Sequence, residues 1–274
     1  MTTAPLIPLN DGHSIPQVGL GVYKVSDSEA VDAIASALQS GYRHIDTATL
    51  YDNETGVGEA VKRAAVPRAE IFVTTKVFQD RHGYDEARRS FDESLQRLQL
   101  EYVDLFLIHW PAPKQNRYVE TWRALEKIQA DGLARSIGVS NFHTHHLDRL
   151  AAETSIVPSV NQVELHPWLP QAELRAYHAA HGIATEAWSP LARGRVLDNP
   201  VLDEIAARHG VSAAQVVIRW HVQLGNVVIP KSITPSRIAS NIDIFDFSLD
   251  DDDLALIATL ESGERTGRDP DDVG

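Results

Sequence analysis

Asp46, Lys76 and His109 each close a strand-like apolar run, and Ser140 extends the series, at intervals of 30, 33 and 31 residues. That interval is about the length of one strand, one helix and two connections, so the spacing describes a repeating βα unit. A polar residue at the same end of each successive parallel strand is the arrangement of a (β/α)8 TIM barrel, whose strand C-termini open onto one mouth. The rhythm therefore proposes a fold and a site together. At 274 residues the chain has the length of one such barrel, for which about 250 is typical. It can bury a large core without metal or disulfide staples, and a single domain over residues 1–274 is expected.

Strand and helix signals alternate throughout. The opening LIPLNDGHSIPQVGLG sets Asn10, Asp11 and Gly12 between apolar residues, a hairpin turn expected to lead a plug across the barrel bottom. Barrel strands are expected at about 17–21, 42–46, 71–76, 103–108, 135–140, 159–164, 183–188 and 226–230. Several are continuous apolar runs, as parallel strands covered on both faces tend to be. Ser26 with Glu29, and Ser212 with Gln215, have capping-box spacing, while Gly41, Gly132 and Gly182 stand where a helix must stop. The longer interval between Trp188 and Pro230 leaves room for an additional helix at 200–208 before one at 213–223. The C-terminal ESGERTGRDPDDVG is polar, carries Gly and Pro, and is expected to form a flexible tail.

Composition narrows the function classes. Cysteine is absent, which removes a disulfide framework, a thiolate metal site and a cysteine nucleophile, and fits a reducing cytoplasm. The first residues lack the charged and apolar regions of a signal peptide, and no apolar run approaches the ~20 residues of a membrane helix. A soluble, cytoplasmic monomer without a membrane partner is expected. The net charge of −13 argues against nucleic acid, because phosphate backbones need a surface rich in Lys and Arg. Any anion must then be held by a local basic cluster.

Several motifs carry a structural reading. Gly19-Leu20-Gly21 and Gly56-Val57-Gly58 lack the third glycine of a dinucleotide fingerprint, so turns or close packing explain them better. The run Asp250 to Asp253 precedes LALIATLE and reads as a solvated helix N-terminus, where acidic residues complement the macrodipole. His143, His145 and His146 lie at a loop-to-helix junction without metalloprotease spacing or a partner cluster. They read as surface histidines, and no metal is expected.

The strand-end series points to chemistry. Asp46 and Lys76 belong to neighbouring strands, where their charges can pair, and Tyr51 follows on the loop after Asp46. A free tyrosine has a pKa of about 10, and an adjacent ammonium is expected to lower it. His109 can donate a hydrogen bond to a carbonyl oxygen and orient it. Such a set is a proton donor aimed at an oxygen that becomes negative, with no strong nucleophile of its own. It needs a partner that attacks carbonyl carbon, and hydride from a nicotinamide is the natural candidate.

The stretches GYRHIDTATLYDNE, IFVTTKV, LFLIHWP, RSIGVSNF, VNQVELHP, WSPLARG and IPKSITPSRIASN resemble the aldo-keto reductases, in that family's order across almost the whole chain. The likeness is nearest to the prokaryotic 2,5-diketo-D-gluconate reductases. It implies that Asp46, Tyr51, Lys76 and His109 form a catalytic tetrad with Tyr51 as general acid. It implies that Ser140, Asn141 and Gln162 bind the nicotinamide carboxamide, that Trp188 stacks on the ring, and that Ser189 and Leu191, with Ala192 to Gly194, run beside the pyrophosphate. Lys231, Ser232 and Arg237 match the family's site for the adenosine 2′-phosphate, which favours NADPH/NADP+ over NADH. That cluster supplies the local basic patch the acidic composition requires. Where the family usually has Glu-Asn, this chain has Ser240-Asn241, with Asn241 left to meet the adenine.

These readings imply reduction of small aldehydes and ketones, including keto sugar acids and dicarbonyls, to alcohols. A barrel hydrolase would need a carboxylate pair or metal cluster at the strand ends, and neither is visible there. The alternative is a cofactor-binding or structural protein that reuses the barrel without turnover. Tyr23, Phe78 and Trp110, with Trp168, are the expected pocket lining beside a short 111–117 connection, while Arg265 and Arg268 are candidates for a substrate carboxylate that read rather as part of a solvated tail.

Overall fold

Two short antiparallel strands, β1 (Leu6–Pro8) and β2 (Ser14–Pro16), precede eight parallel ones in a computed structural model that describes residues 4–274. The parallel strands are β3 (Leu20–Gly21), β4 (His44–Asp46), β5 (Phe72–Val77), β6 (Val103–Ile108), β7 (Ala134–Ser140), β8 (Val160–Glu164), β9 (Ala184–Trp188) and β10 (Val227–Val228). Their spatial order is their chain order. Parallel bridges from Val18 to Val228 and from Gly21 to Lys231 join the last strand to the first, so the sheet closes. The eight expected strands are all present, the outermost two shortest because their pairing at closure is reduced to single bridges.

The hairpin does plug the base. Leu9 and Ile15 are buried in a small cluster with Phe72, Leu105, Leu107, Val160 and Val227, most of which lie near the N-terminal ends of their strands. The main core lies between the sheet and the surrounding helices: α1 (Asp27–Gln39), α2 (Glu54–Arg63), α3 (Tyr84–Leu98), α4 (Tyr118–Ala130), α5 (Thr144–Glu153), α6 (Ala172–His181), α7 (Pro200–His209), α8 (Ala213–Gln223), α9 (Pro235–Ile242) and α10 (Asp251–Ala258). Both expected capping boxes form, at Ser26/Glu29 and Ser212/Gln215. The additional helix is α7. Gly56 and Gly58 serve close packing: a Cβ would stand 2.3 Å from the Asp27 carbonyl oxygen at the former and 2.0 Å from that of Leu98 at the latter.

Two expectations are corrected. Asp250 and Asp253 do form a capping box at the start of α10, yet Asp253 is fully buried rather than solvated, and it pairs with Arg208 and His209 at 2.6 Å each. The tail is folded: the backbone N–H groups of Thr266 and Gly267 donate to the Glu164 carboxylate, and Pro270 and Val273 are buried. No helix among the described residues is long and apolar enough to cross a membrane.

Candidate active site

Register puts Asp46 at the C-terminal end of β4 and Lys76 near that of β5. The Lys76 ammonium donates to Asp46 Oδ1 and Oδ2 at 2.7 and 2.8 Å and to the Thr47 carbonyl at 2.9 Å. It stands 3.5 Å from the Tyr51 hydroxyl. Tyr51 rides a single 3-10 turn, Thr49–Tyr51, that Thr49 Oγ1 ties to the Lys76 carbonyl at 3.0 Å. His109 follows β6, with its ring 5.7 Å from that of Tyr51 and edge-on to it. The four predicted catalytic residues therefore meet.

Charge at the site follows from burial. Lys76 and Asp46 are almost fully buried. Burial opposes the ammonium, but Asp46 and then Tyr51 outweigh it and hold the Lys76 pKa above its ordinary value. For Tyr51 the balance reverses: burial pushes the phenol up to about 12, against the opposing field of Lys76. The expectation that Lys76 brings Tyr51 below its ordinary value is thus corrected, because desolvation of a phenolate exceeds the attraction of one ammonium that Asp46 already neutralises. Burial, then Lys76, pushes His109 well below its ordinary value, so its ring is neutral. Its Nδ1 has no hydrogen-bond partner among the described residues.

The predicted cofactor residues fall into two groups. Ser140, Asn141, Gln162 and Trp188 form one network: Ser140 Oγ donates to the Gln162 carbonyl at 2.8 Å, and Asn141 Nδ2 donates to the His109 carbonyl at 2.9 Å. Trp188 Nε1 donates to Asn141 Oδ1 at 2.8 Å. Asn141 and Ser189 hold left-handed backbone, φ +64° and +51°, as do Ala192 and Arg193 beyond Leu191. Non-glycine residues adopt that region at a cost, and such positions cluster at ligand-binding loops. In the second group Lys231, Ser232 and Arg237 lie at the barrel closure and the first turns of α9, whose unpaired N–H groups suit an anion. Ser240 is half-buried, its hydroxyl donating to the Arg237 carbonyl at 3.2 Å, whereas Asn241 is buried.

Of the expected lining, Tyr23 is exposed with its ring 5.0 Å from Tyr51, and Phe78 lies edge-on to His109 at 5.6 Å. Trp110 is half-buried after His109. Trp168 is held by the tail, its carbonyl accepting from Ser262 and Gly263 and its ring under Arg195 at 5.1 Å. Arg265 is not free in solvent, pairing with Asp269 at 3.4 Å, while Arg268 is exposed.

The three histidines depart from expectation. His146 is buried, and the tail supplies the partner cluster: His143 meets Asp269, and His145 and His146 meet Asp271, at 3.1 to 3.2 Å. These groups lie close enough to share an ion. However, His146 Nδ1 accepts the His143 backbone N–H at 3.1 Å, which leaves its proton on Nε2, the atom facing Asp271. That tautomer turns a proton, not a lone pair, toward Asp271, so His146 offers no metal ligand there, although its Nε2 makes no hydrogen bond among the described residues.

Several residues that hold the site carry no local sequence signal. Asn53 donates to the Val22 and Val25 carbonyls at 2.8 Å each and accepts from Thr47 Oγ1 at 2.7 Å, which pins the Tyr51 turn. Glu54, the next residue, accepts from Thr75 Oγ1 and Arg97 Nε and so anchors the start of α2. Glu186, an ionisable residue inside the apolar run of β9, sits beneath the tetrad and meets Gln162. Asp46 and Glu186 thus form the carboxylate pair that strand ends alone do not reveal, because Glu186 lies two residues short of its strand end. Glu164 holds the tail beside Trp188: a Cβ on Gly267 would stand 2.6 Å from that ring.

The sequence profile of the aldo/keto reductase family matches residues 17–262. An aldo-keto reductase of Mycolicibacterium smegmatis is 56% identical over 267 residues, 97% of each chain. Methylglyoxal reductase DkgA of Escherichia coli K12 is 51% identical over 276 residues, all of both chains. Among solved structures, a variant of Gox0644 in complex with NADPH superposes with a TM-score of 0.95 at 45% identity, covering all of both chains.

Proposed function

This chain belongs to the aldo/keto reductase family, and from that premise we propose that it reduces small aldehydes and ketones to alcohols with NADPH as cofactor and Tyr51 as proton donor. The observation that carries the reading is the chain from buried Asp46 and Lys76 to the hydroxyl of half-buried Tyr51, with His109 beside it. NADPH, when bound, supplies hydride to the carbonyl carbon. Tyr51 is protonated at neutral pH, so it can meet the alkoxide that develops on oxygen. Lys76 then stabilises the phenolate that remains, and Asp46 keeps Lys76 charged and in place. Neutral His109 has a polar ring with which to orient the carbonyl oxygen.

The cofactor fits the residues present. Gln162 and Asn141 offer amides to a carboxamide, Trp188 offers an aromatic face to a planar ring, and Lys231, Ser232 and Arg237 offer charge and a hydroxyl to a 2′-phosphate. The aromatic mouth of Tyr23, Phe78 and Trp110 suits a small carbonyl compound, and the relative that reduces methylglyoxal makes dicarbonyls the first substrates to try. Following NADPH absorbance with methylglyoxal, keto sugar acids and simple aldehydes tests the reading. Turnover with at least one carbonyl is the expected result. NADPH binding without turnover across the panel would favour a binding role instead.

A further inference from the structure

We infer that Glu186 is a positioning residue for cofactor binding: with Asp46 it engages the Gln162 amide nitrogen and leaves Gln162 Oε1 as the one atom of that amide free for a ligand. The inference rests on the NADPH reading above. Gln162 Nε2 donates to Asp46 Oδ2 at 2.8 Å and to Glu186 Oε2 at 3.0 Å, while Oε1 makes no hydrogen bond among the described residues. Gln162 and Glu186 are direct register partners on β8 and β9, so the contact is built into the sheet. A flipped amide would set its oxygen against Asp46, which is already paired with Lys76. Asp46 alone leaves one amide hydrogen free and the side chain able to rotate, and Glu186 removes that freedom. Gln162 is then a hydrogen-bond acceptor, matched to the NH2 of a carboxamide rather than to its oxygen.

Glu186 is fully buried, and its surroundings explain how it coexists with Asp46. Burial, and next the Asp46 charge, push its pKa up to about 8, against the Gln162 bond and Lys76. A neutral carboxyl accepts from Gln162 without setting a second negative charge beside the tetrad. Its other oxygen faces His44 Nε2 at 3.7 Å and has no hydrogen-bond partner. Such incomplete satisfaction is costly for a group with a purely structural task, and a preorganised ligand contact explains it.

Fluorescence titration with NADPH and with 2′-phospho-ADP-ribose, which lacks the nicotinamide, tests the assignment. Glu186→Leu should weaken NADPH binding roughly two- to twelvefold, one net hydrogen bond, and leave 2′-phospho-ADP-ribose binding unchanged. Glu186→Gln, whose amide oxygen can still accept from Gln162, should bind both ligands as wild type does. Equal losses for the two ligands, or no loss for NADPH, would overturn the inference. The wild type gives a second measurement that does not depend on the leucine variant folding. Both side-chain amide protons of Gln162, assigned by their disappearance in Gln162→Met, should exchange slowly with solvent, and rapid exchange of either would count against the lock. Wild-type protein that fails to bind NADPH would overturn the cofactor reading and this inference together, whereas normal wild-type binding with an indifferent Glu186→Leu overturns this inference alone.

Discussion

Tyr51 shows how one residue's role depends on which of two opposed effects is larger. Burial raises its pKa by more than Lys76 lowers it, so the phenol holds its proton across the neutral range. A proton donor needs that state before reaction, and the ammonium 3.5 Å away matters once the proton has left. Tyr51→Phe keeps the ring contacts with Tyr23 and His109 and deletes only the hydroxyl. Carbonyl reduction should fall by about 10²–10⁴-fold, the usual worth of general acid catalysis, with NADPH affinity unchanged. Steady-state kinetics and a binding titration check this, and a loss under tenfold would remove Tyr51 from the role. Asp46, Lys76 and His109 were legible because each lies within a residue of a strand's C-terminal end, a position defined by local pattern. Asn53 and Glu54 were not, since their work is done on Val22, Val25, Thr75 and Arg97, partners that no spacing rule connects to them.

Elements were legible where periodicity or a cap marked them. The eight strands, both capping boxes and α7 all carry local signals, and the helices starting at Ser26 and Ser212 begin where their caps require. The folded tail carries none: Thr266 and Gly267 reach Glu164 about a hundred residues back, and Asp269 and Asp271 reach the histidines at the start of α5. Contacts of that range leave no trace in a polar, Gly- and Pro-containing segment. The first turns of α9 belong to the legible kind, because Lys231, Ser232 and Arg237 follow the last strand as a compact basic group. If they hold a 2′-phosphate, replacing Lys231 or Arg237 by Met should weaken NADPH about ten- to a hundredfold, as for a charge-assisted bond, and leave NADH nearly untouched. Paired titrations with the two cofactors decide it. Equal losses would show that the cluster does something else.

At the scale of the whole molecule, closing eight strands around a filled interior buries polar groups that no single element could hide. Among them are His44, His109, His178 and His221. Burial dominates the shift in each, aided by Lys76 at His44 and His109, and it brings His44 and His221 to about 3 and His178 to about 4. In the unfolded chain a histidine takes up its proton near pH 6.5. Below that value the unfolded state binds protons that the folded state refuses, so acidification favours unfolding by about 1.4 kcal/mol per pH unit for each such ring, and above it the effect vanishes. Glu186 works the other way. Its raised pKa means that the folded state keeps a proton the unfolded chain has released, so this one group lowers stability as pH rises from about 4.5 to about 8. These four histidines, joined by His82 and His146, which burial likewise brings to about 4, outweigh one carboxyl on the acid side, and of these groups only the carboxyl still acts between pH 7 and 8. Denaturant unfolding should therefore show stability falling steeply below about pH 6.5 and gently between pH 7 and 8. His221→Leu should flatten the acid limb by one ring's share, about 1.4 kcal/mol per pH unit, because His221 is fully buried with an unpartnered Nε2 and its replacement leaves no group to titrate. An acid limb of unchanged slope in that variant would mean that the carboxylates, not the buried histidines, set the acid sensitivity of this barrel.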